Sequence, residues 1–263
     1  LSDVSDAEPA PTPLRVRAFG LTDIGRRRQR NEDAYLVNED LRLFVVADGM
    51  GGHAAGEVAS QEAVDTIMGM VKRGLAKLGA EDEPLTAEKV TAGRRLIEGG
   101  IQAATYMVFA ISEVDAGKSG MGTTISAALV WRDVAFIGQV GDSRIYHVRG
   151  DQVAQLTEDH TLVGWQIKQG LITEEEARFS PHRNVITRSV GGRDYVEVDT
   201  SCVQLLPGDR LLLCSDGLHG YLDDAEIPDI VALGGHTAAE AFIGLANERG
   251  GSDNITVILV EIG

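Results

Sequence analysis

The sequence predicts an α+β fold in which antiparallel sheets carry helices on their outer side. Three observations point to it. Apolar segments of strand length follow one another closely enough to be joined by hairpins. Two long stretches of helical periodicity stand between groups of strands, instead of alternating with single strands as βαβ units do. The 263 residues are 43% hydrophobic and 24% charged, which is ordinary for a globular chain and supplies a sizeable core.

Residues 1–13, LSDVSDAEPAPTP, contain three prolines and three acids with no basic residue, and read as a flexible tail. Residues 14–263 read as a single domain. Strands are expected at 15–22, 34–38 and 41–47. Between about 53 and 78, Val64, Ile67, Met68, Val71, Leu75 and Leu78 follow helical spacing. A second long helix is expected at 86–113, weakened or bent where Glu98-Gly99-Gly100 interrupts it. Strands follow at 123–131, 134–140, 144–148 and 152–156, with Trp131-Arg132-Asp133 as a tight hairpin turn. Residues 160–183 read as loop and short helices, one of them capped by Thr173. Further strands are expected at 185–189, 196–205 and 210–215, then a helix over about 237–249 and a closing strand at 255–262.

Lys and Arg number 24 against 40 Asp and Glu, a net charge of −16, which argues against a nucleic-acid binder that works by neutralising phosphates. The run Gly25-Arg26-Arg27-Arg28-Gln29-Arg30 is nonetheless a local basic site. The two cysteines, Cys202 and Cys214, lie in apolar strand-like runs outside any CxxC pattern. Reduced, buried thiols are therefore expected, in a reducing, cytoplasmic compartment, and structural zinc is not. No apolar stretch is long enough to span a bilayer, and no signal peptide is visible.

The stretch LFVVADGMGGHAAGE, residues 43–57, raises the first functional question. Gly49, Gly51 and Ala54 satisfy the loose dinucleotide pattern G-x-G-x-x-A. Asp48, however, would set a carboxylate against a pyrophosphate, and the absence of βαβ alternation weakens that reading further. Asp48 is one of five acidic signatures at or beside strand ends: Asn31-Glu32-Asp33-Ala34, Val46-Ala47-Asp48-Gly49, Val140-Gly141-Asp142-Ser143, Cys214-Ser215-Asp216-Gly217 and Gly251-Ser252-Asp253-Asn254. A single Asp-Gly marks a turn. Five such sites around the sheet termini, if clustered, repel one another unless a cation joins them. An all-oxygen donor set suits Mg²⁺ or Mn²⁺; neither a zinc-type histidine spacing nor an EF-hand is present.

RQRNEDA, VVADGMGGHAAGE, GMGTT, QVGDSRIY, LLLCSDGL and GGSDNITVI, in that order, closely resemble the metal-dependent Ser/Thr protein phosphatases of the 2C type, in their bacterial form. The resemblance runs from about residue 15 to the C-terminus. It implies a β-sandwich flanked by helices on both sides, an α-β-β-α arrangement of four layers. It implies two Mn²⁺ or Mg²⁺ ions and a weaker third. Asp48 and the Gly49 carbonyl, with Asp216 and Asp253, correspond to ligands of the two principal ions. Glu32 and Asp33 act beside them, directly or through water, and Asp142 with Asp216 forms the third site. Arg28 matches the phosphate-binding arginine, and His53 is the best-placed acid for the leaving alkoxide, although Met50-Gly51-Gly52 separate it from the Asp-Gly pair. A metal-bridged hydroxide would attack phosphorus in line. Expected partners are phosphoserine and phosphothreonine proteins and a cognate Ser/Thr kinase, with the chain a monomer. Residues 160–190 match the variable flap.

Other readings stand beside this one. A non-catalytic phosphoprotein-binding module on the same fold would be expected to have lost metal carboxylates, and a hydrolase of small phosphomonoesters would keep them. His160 reads as structural and Asp209 as turn chemistry.

Overall fold

The computed structural model describes residues 14–51, 55–81 and 83–263. Tail residues 1–13 and His53 lie outside the described residues. The chain opens with strands β1 (Val16–Asp23), β2 (Asp33–Asn38) and β3 (Leu43–Met50), followed by helices α1 (Ala55–Gly74) and α2 (Ala87–Val114). Strands β4 (Gly122–Thr123), β5 (Ile125–Trp131), β6 (Val134–Val140), β7 (Arg144–Arg149) and β8 (Gln152–Gln155) come next. Helices α3 (Leu162–Lys168) and α4 (Glu174–Arg178) precede β9 (Asp199–Gln204) and β10 (Arg210–Cys214). Helices α5 (Asp216–His219), α6 (Ile227–Val231) and α7 (Gly235–Glu248) lead to β11 (Ile255–Ile262).

Two antiparallel sheets result, ordered β1-β11-β10-β7-β8 and β2-β3-β5-β6-β9, with β4 pairing the end of β3. They pack face to face, α1 and α2 covering one and α5 to α7 the other, so the four-layer expectation holds. The reason is legible in β3. Phe44 and Val46 face the opposite sheet, while Leu43, Val45 and Ala47 face α1 and α2. Strand β11 repeats the arrangement, with Ile258, Val260 and Ile262 inward and Ile255, Val257 and Leu259 under α7. A strand covered on both faces needs apolar residues at every position, which is why these runs are continuous.

Thr86 caps α2, its hydroxyl accepting the Lys89 N–H at 3.3 Å. The helix passes through Gly99-Gly100 unbroken, because Gly100 is buried against Ile67 of α1 and packing outweighs propensity there. Three further expectations are corrected. Residues 185–189 form no strand: the Leu162 N–H donates to Val185 O and the Thr187 N–H to His160 O, each at 2.8 Å, which is a loop-to-loop contact and not a ladder. The strand expected at 196–205 is shorter, Asp199–Gln204. Cys202 is exposed, because β9 is a sheet edge with one open face, whereas Cys214 is buried; both are free thiols. The turn at Arg132 is as expected, with a left-handed φ of 56° between the paired Trp131 and Val134. Among the described residues no helix is long and apolar enough to cross a membrane.

Candidate metal centre

Strands β2 and β3 run antiparallel in a register that sets Asp33 directly opposite Asp48. Strand β3 extends to Met50, so Asp48 and Gly49 belong to the end of the strand itself and not to the loop beyond it. Asp216 opens α5 at the end of β10, and Asp253 lies just before β11. The two sheets thus deliver their carboxylates to one end of the sandwich. A Cβ on Gly49 would strike the backbone carbonyls of Glu32 and Gly56, so this close approach of three segments requires glycine.

Asp33, Asp48, Asp142 and Glu32 are held by neighbours from other elements. The Asp33 carboxylate accepts hydrogen bonds from Ser215 Oγ at 2.9 Å and Thr256 Oγ1 at 2.6 Å. The Asp48 N–H donates to Thr124 Oγ1 at 3.0 Å, and its carbonyl accepts from Thr123 Oγ1 at 2.9 Å. Thr124 Oγ1 also meets Ser143 Oγ at 2.7 Å, which ties β3 to the turn that carries Asp142. His219 Nε2 lies 2.9 Å from the Asp142 carbonyl. Asn254 accepts the Glu32 N–H and donates to the carbonyls of Ile24 and Arg30, pinning the loop that bears Arg28 and Glu32.

Electrostatics follow from this crowding. Burial and the charge of Asp33 and Asp216 hold the Asp48 carboxyl well above the usual range. Burial pushes Asp33 up to about 7 despite its two hydroxyl donors. Burial, then Asp216, pushes Asp142 up to about 7. Asp216 is raised by burial and by Asp253, and Glu32 by burial against the pull of Arg28. Arg28 Nη2 lies 2.6 Å from Asp253 Oδ2, and this contact raises the guanidinium.

Similarity to known proteins agrees with this geometry. The family model for Protein phosphatase 2C matches residues 24–241. The serine/threonine phosphatase stp of Listeria innocua is 40% identical over 245 residues, covering 91% of this chain and 93% of that protein. The chain belongs to the protein phosphatase 2C family. Among solved structures, the Mycobacterium tuberculosis serine/threonine phosphatase PstP/Ppp superposes with a TM-score of 0.82 at 33% identity, over 95% of this chain and 99% of that one. The catalytic domain of the serine/threonine protein phosphatase PstP in complex with two manganese ions gives 0.79 at 33% identity, over 95% and 99%.

A 2C-type centre calls for hard cations, and the residues present fit them. Every donor is oxygen, and Asp216 Oδ1 is a buried carboxylate oxygen without a hydrogen-bond partner. The fit rests on this donor chemistry and not on a preformed cage: among the described residues no group of three or more His, Cys, Asp or Glu side chains stands so as to hold a metal ion.

The structure brings together Asp33, Asp48, Asp142, Asp216 and Asp253, with Glu32 and Arg28 at the edge. It gives His160 a structural place, buried, with Nδ1 accepting the Gly141 N–H at 3.1 Å and Nε2 facing Asp199 at 3.1 Å. Reading the sequence for carboxylates missed Ser215, Thr256, Asn254, Thr124 and His219. The signal for three of them was adjacency: Ser215 and Asn254 flank the acids at 216 and 253, and Thr124 ends the GMGTT motif. Thr256 lies inside the GGSDNITVI motif, and His219 carried no signal.

Proposed function

We propose that the carboxylates at this end of the sandwich hold the divalent cations of a serine/threonine phosphatase, and that Arg28 receives the phosphoryl group beside them. The chain is a metal-dependent protein phosphatase that uses manganese or magnesium. Asp48, the Gly49 carbonyl, Asp216 and Asp253 are the direct ligands, Glu32 and Asp33 act directly or through water, and Asp142 with Asp216 takes a weaker third ion. When bound, the cations supply the Lewis acidity that makes water a nucleophile near neutral pH and offset the charge of the phosphoryl oxygens. The Ser215 and Thr256 hydroxyls fix Asp33 in orientation. Arg28 touches Asp253 through one nitrogen only, so its remaining N–H donors are free to grip phosphoryl oxygens as lysine could not. His53 is assigned as proton donor to the leaving alkoxide. Residues 160–190 serve as the flap that meets the protein substrate. The partners are phosphoserine and phosphothreonine proteins, with a cognate Ser/Thr kinase acting on the same sites, and the chain works as a monomer in a reducing, cytoplasmic compartment.

The observation that carries this reading is the convergence of five aspartates from both sheets on one end of the sandwich. A binding module has no use for that cost, and the antiparallel pairing of β3 on both sides removes the dinucleotide fold. Phosphate release from a phosphothreonine peptide, assayed with Mn²⁺ and then with excess EDTA, tests the proposal. Release that depends on metal is expected. Folded protein that releases none with Mn²⁺ or Mg²⁺ would put the binding module ahead. Inhibition of peptide turnover by small phosphate esters at comparable concentration would redirect the substrate class to small monoesters.

A further inference from the structure

A concave site lies along α1, far from the carboxylates. The C-terminal part of α1 and the N-terminal half of α2 enclose a cleft of about 660 Å³, within the usual size of small-molecule sites. Helix α1 starts beside Gly49 and reaches the cleft at Met70, about 20 Å further along its axis. The floor is mostly apolar, formed by Met70, Ala92 and Leu96, and Leu96 lies so close to Gly74 that no Cβ fits between them. The rim carries Arg73, Lys77 and Arg95 against the single acid Glu88.

The sign of that rim is its distinguishing feature. In a chain of net charge −16, three cations against one acid make it a locally basic edge. Among the described residues Arg73, Lys77 and Arg95 make no ion pair; Arg73 instead folds back on Met70 Sδ at 2.9 Å, over the cleft floor. The first turn of α2 lies on the same rim and adds its positive end. An apolar hollow edged by unpaired cations complements a molecule with an apolar body and an anionic head.

We propose that this cleft binds a small organic anion, its apolar body on Met70, Ala92 and Leu96 and its acidic group held by Arg73, Lys77 and Arg95. Gly99 offers a clean way to block it. The residue lines the cleft within α2, and a Cβ built there meets nothing within 4 Å, so a large side chain enters the mouth without disturbing the core.

The probe is 8-anilinonaphthalene-1-sulfonate, an aromatic body with one sulfonate, titrated into the whole chain and followed by fluorescence. Saturable one-to-one binding is expected, weakened at least tenfold by Arg95→Glu and by Gly99→Trp and left within twofold by Lys72→Glu. That last variant makes the same charge change on an exposed residue outside the lining. Metal-dependent peptide turnover of all three variants should match wild type without the dye, which shows that they are folded. Absence of saturable binding, equal binding to Gly99→Trp, or equal affinity for the dye's analogue lacking the sulfonate would overturn the proposal. So would a tenfold gain in affinity on deleting residues 1–13, which would give the cleft to the chain's own acidic tail.

Discussion

Asp48 concentrates the residue-scale account. Its carboxyl is buried, faces Asp33 across the strand pair, and is raised by both burial and like charge. Asp48→Asn is expected to abolish metal-dependent turnover while leaving the fold intact by circular dichroism; full activity would remove Asp48 from the centre. The same crowding sets a pH dependence. Asp33 and Asp142 are held near 7, well above their unfolded values, so the folded chain binds more protons than the unfolded one between about pH 4 and 7. Without metal, stability should therefore rise as pH falls through that window, by up to about 1.4 kcal/mol per pH unit for each extra proton held. His219 opposes this. Burial lowers it to about 3, so its contribution is present above the unfolded histidine value and is lost as pH falls toward 3. Denaturant titrations in EDTA should show the rise, steeper in His219→Gln and suppressed by saturating Mn²⁺; a fall in stability from pH 7 to 5 in EDTA would contradict the assignment of the carboxylates.

Among the elements, strand β3 does most to place the site, because its register decides which residues oppose Asp33 and which meet the GMGTT segment. Thr124 anchors it, joining the Asp48 N–H to Ser143. Thr124→Val keeps the shape but strands a buried N–H and a buried hydroxyl, and should cost about 1–3 kcal/mol in urea denaturation. Turnover should fall more than stability alone explains, roughly 10–100-fold, as expected for a group that orients a metal ligand. Unchanged turnover in a folded Thr124→Val protein would make the contact merely structural. Much of this was legible beforehand. The doubly covered strands announced themselves as continuous apolar runs, and the five acids stood out because turn residues flank them. What stayed hidden was tertiary. Thr256 lies in the GGSDNITVI motif, but nothing local says that its hydroxyl reaches Asp33, and Val185 and Ile186 look like part of a strand until Val185 and Thr187 are seen to bond to Leu162 and His160. The helices at 216–231 are too short for periodicity to reveal.

For the whole molecule, the division of labour runs along the sandwich axis. One end gathers carboxylates raised by burial and by one another, and stability must come from elsewhere. At Asp209 the molecule shows how it does so. Nearly fully buried, this carboxylate takes two bonds from Arg149, one from His147 and the Leu206 N–H, and these hold it at about 2. Its stabilising contribution is present above the unfolded aspartate value and is lost as pH falls toward 2. Asp209→Ala should therefore destabilise by about 2–4 kcal/mol near neutral pH without changing the metal dependence of turnover. The central claim, that the carboxylates of both sheets form one metal site, is tested most directly by calorimetric titration of Mn²⁺ into the metal-free chain and its Asp48→Asn variant. The account predicts at least two ions per wild-type chain and loss of that binding in the variant. Equal binding in the two proteins, or none in the wild type, would contradict it.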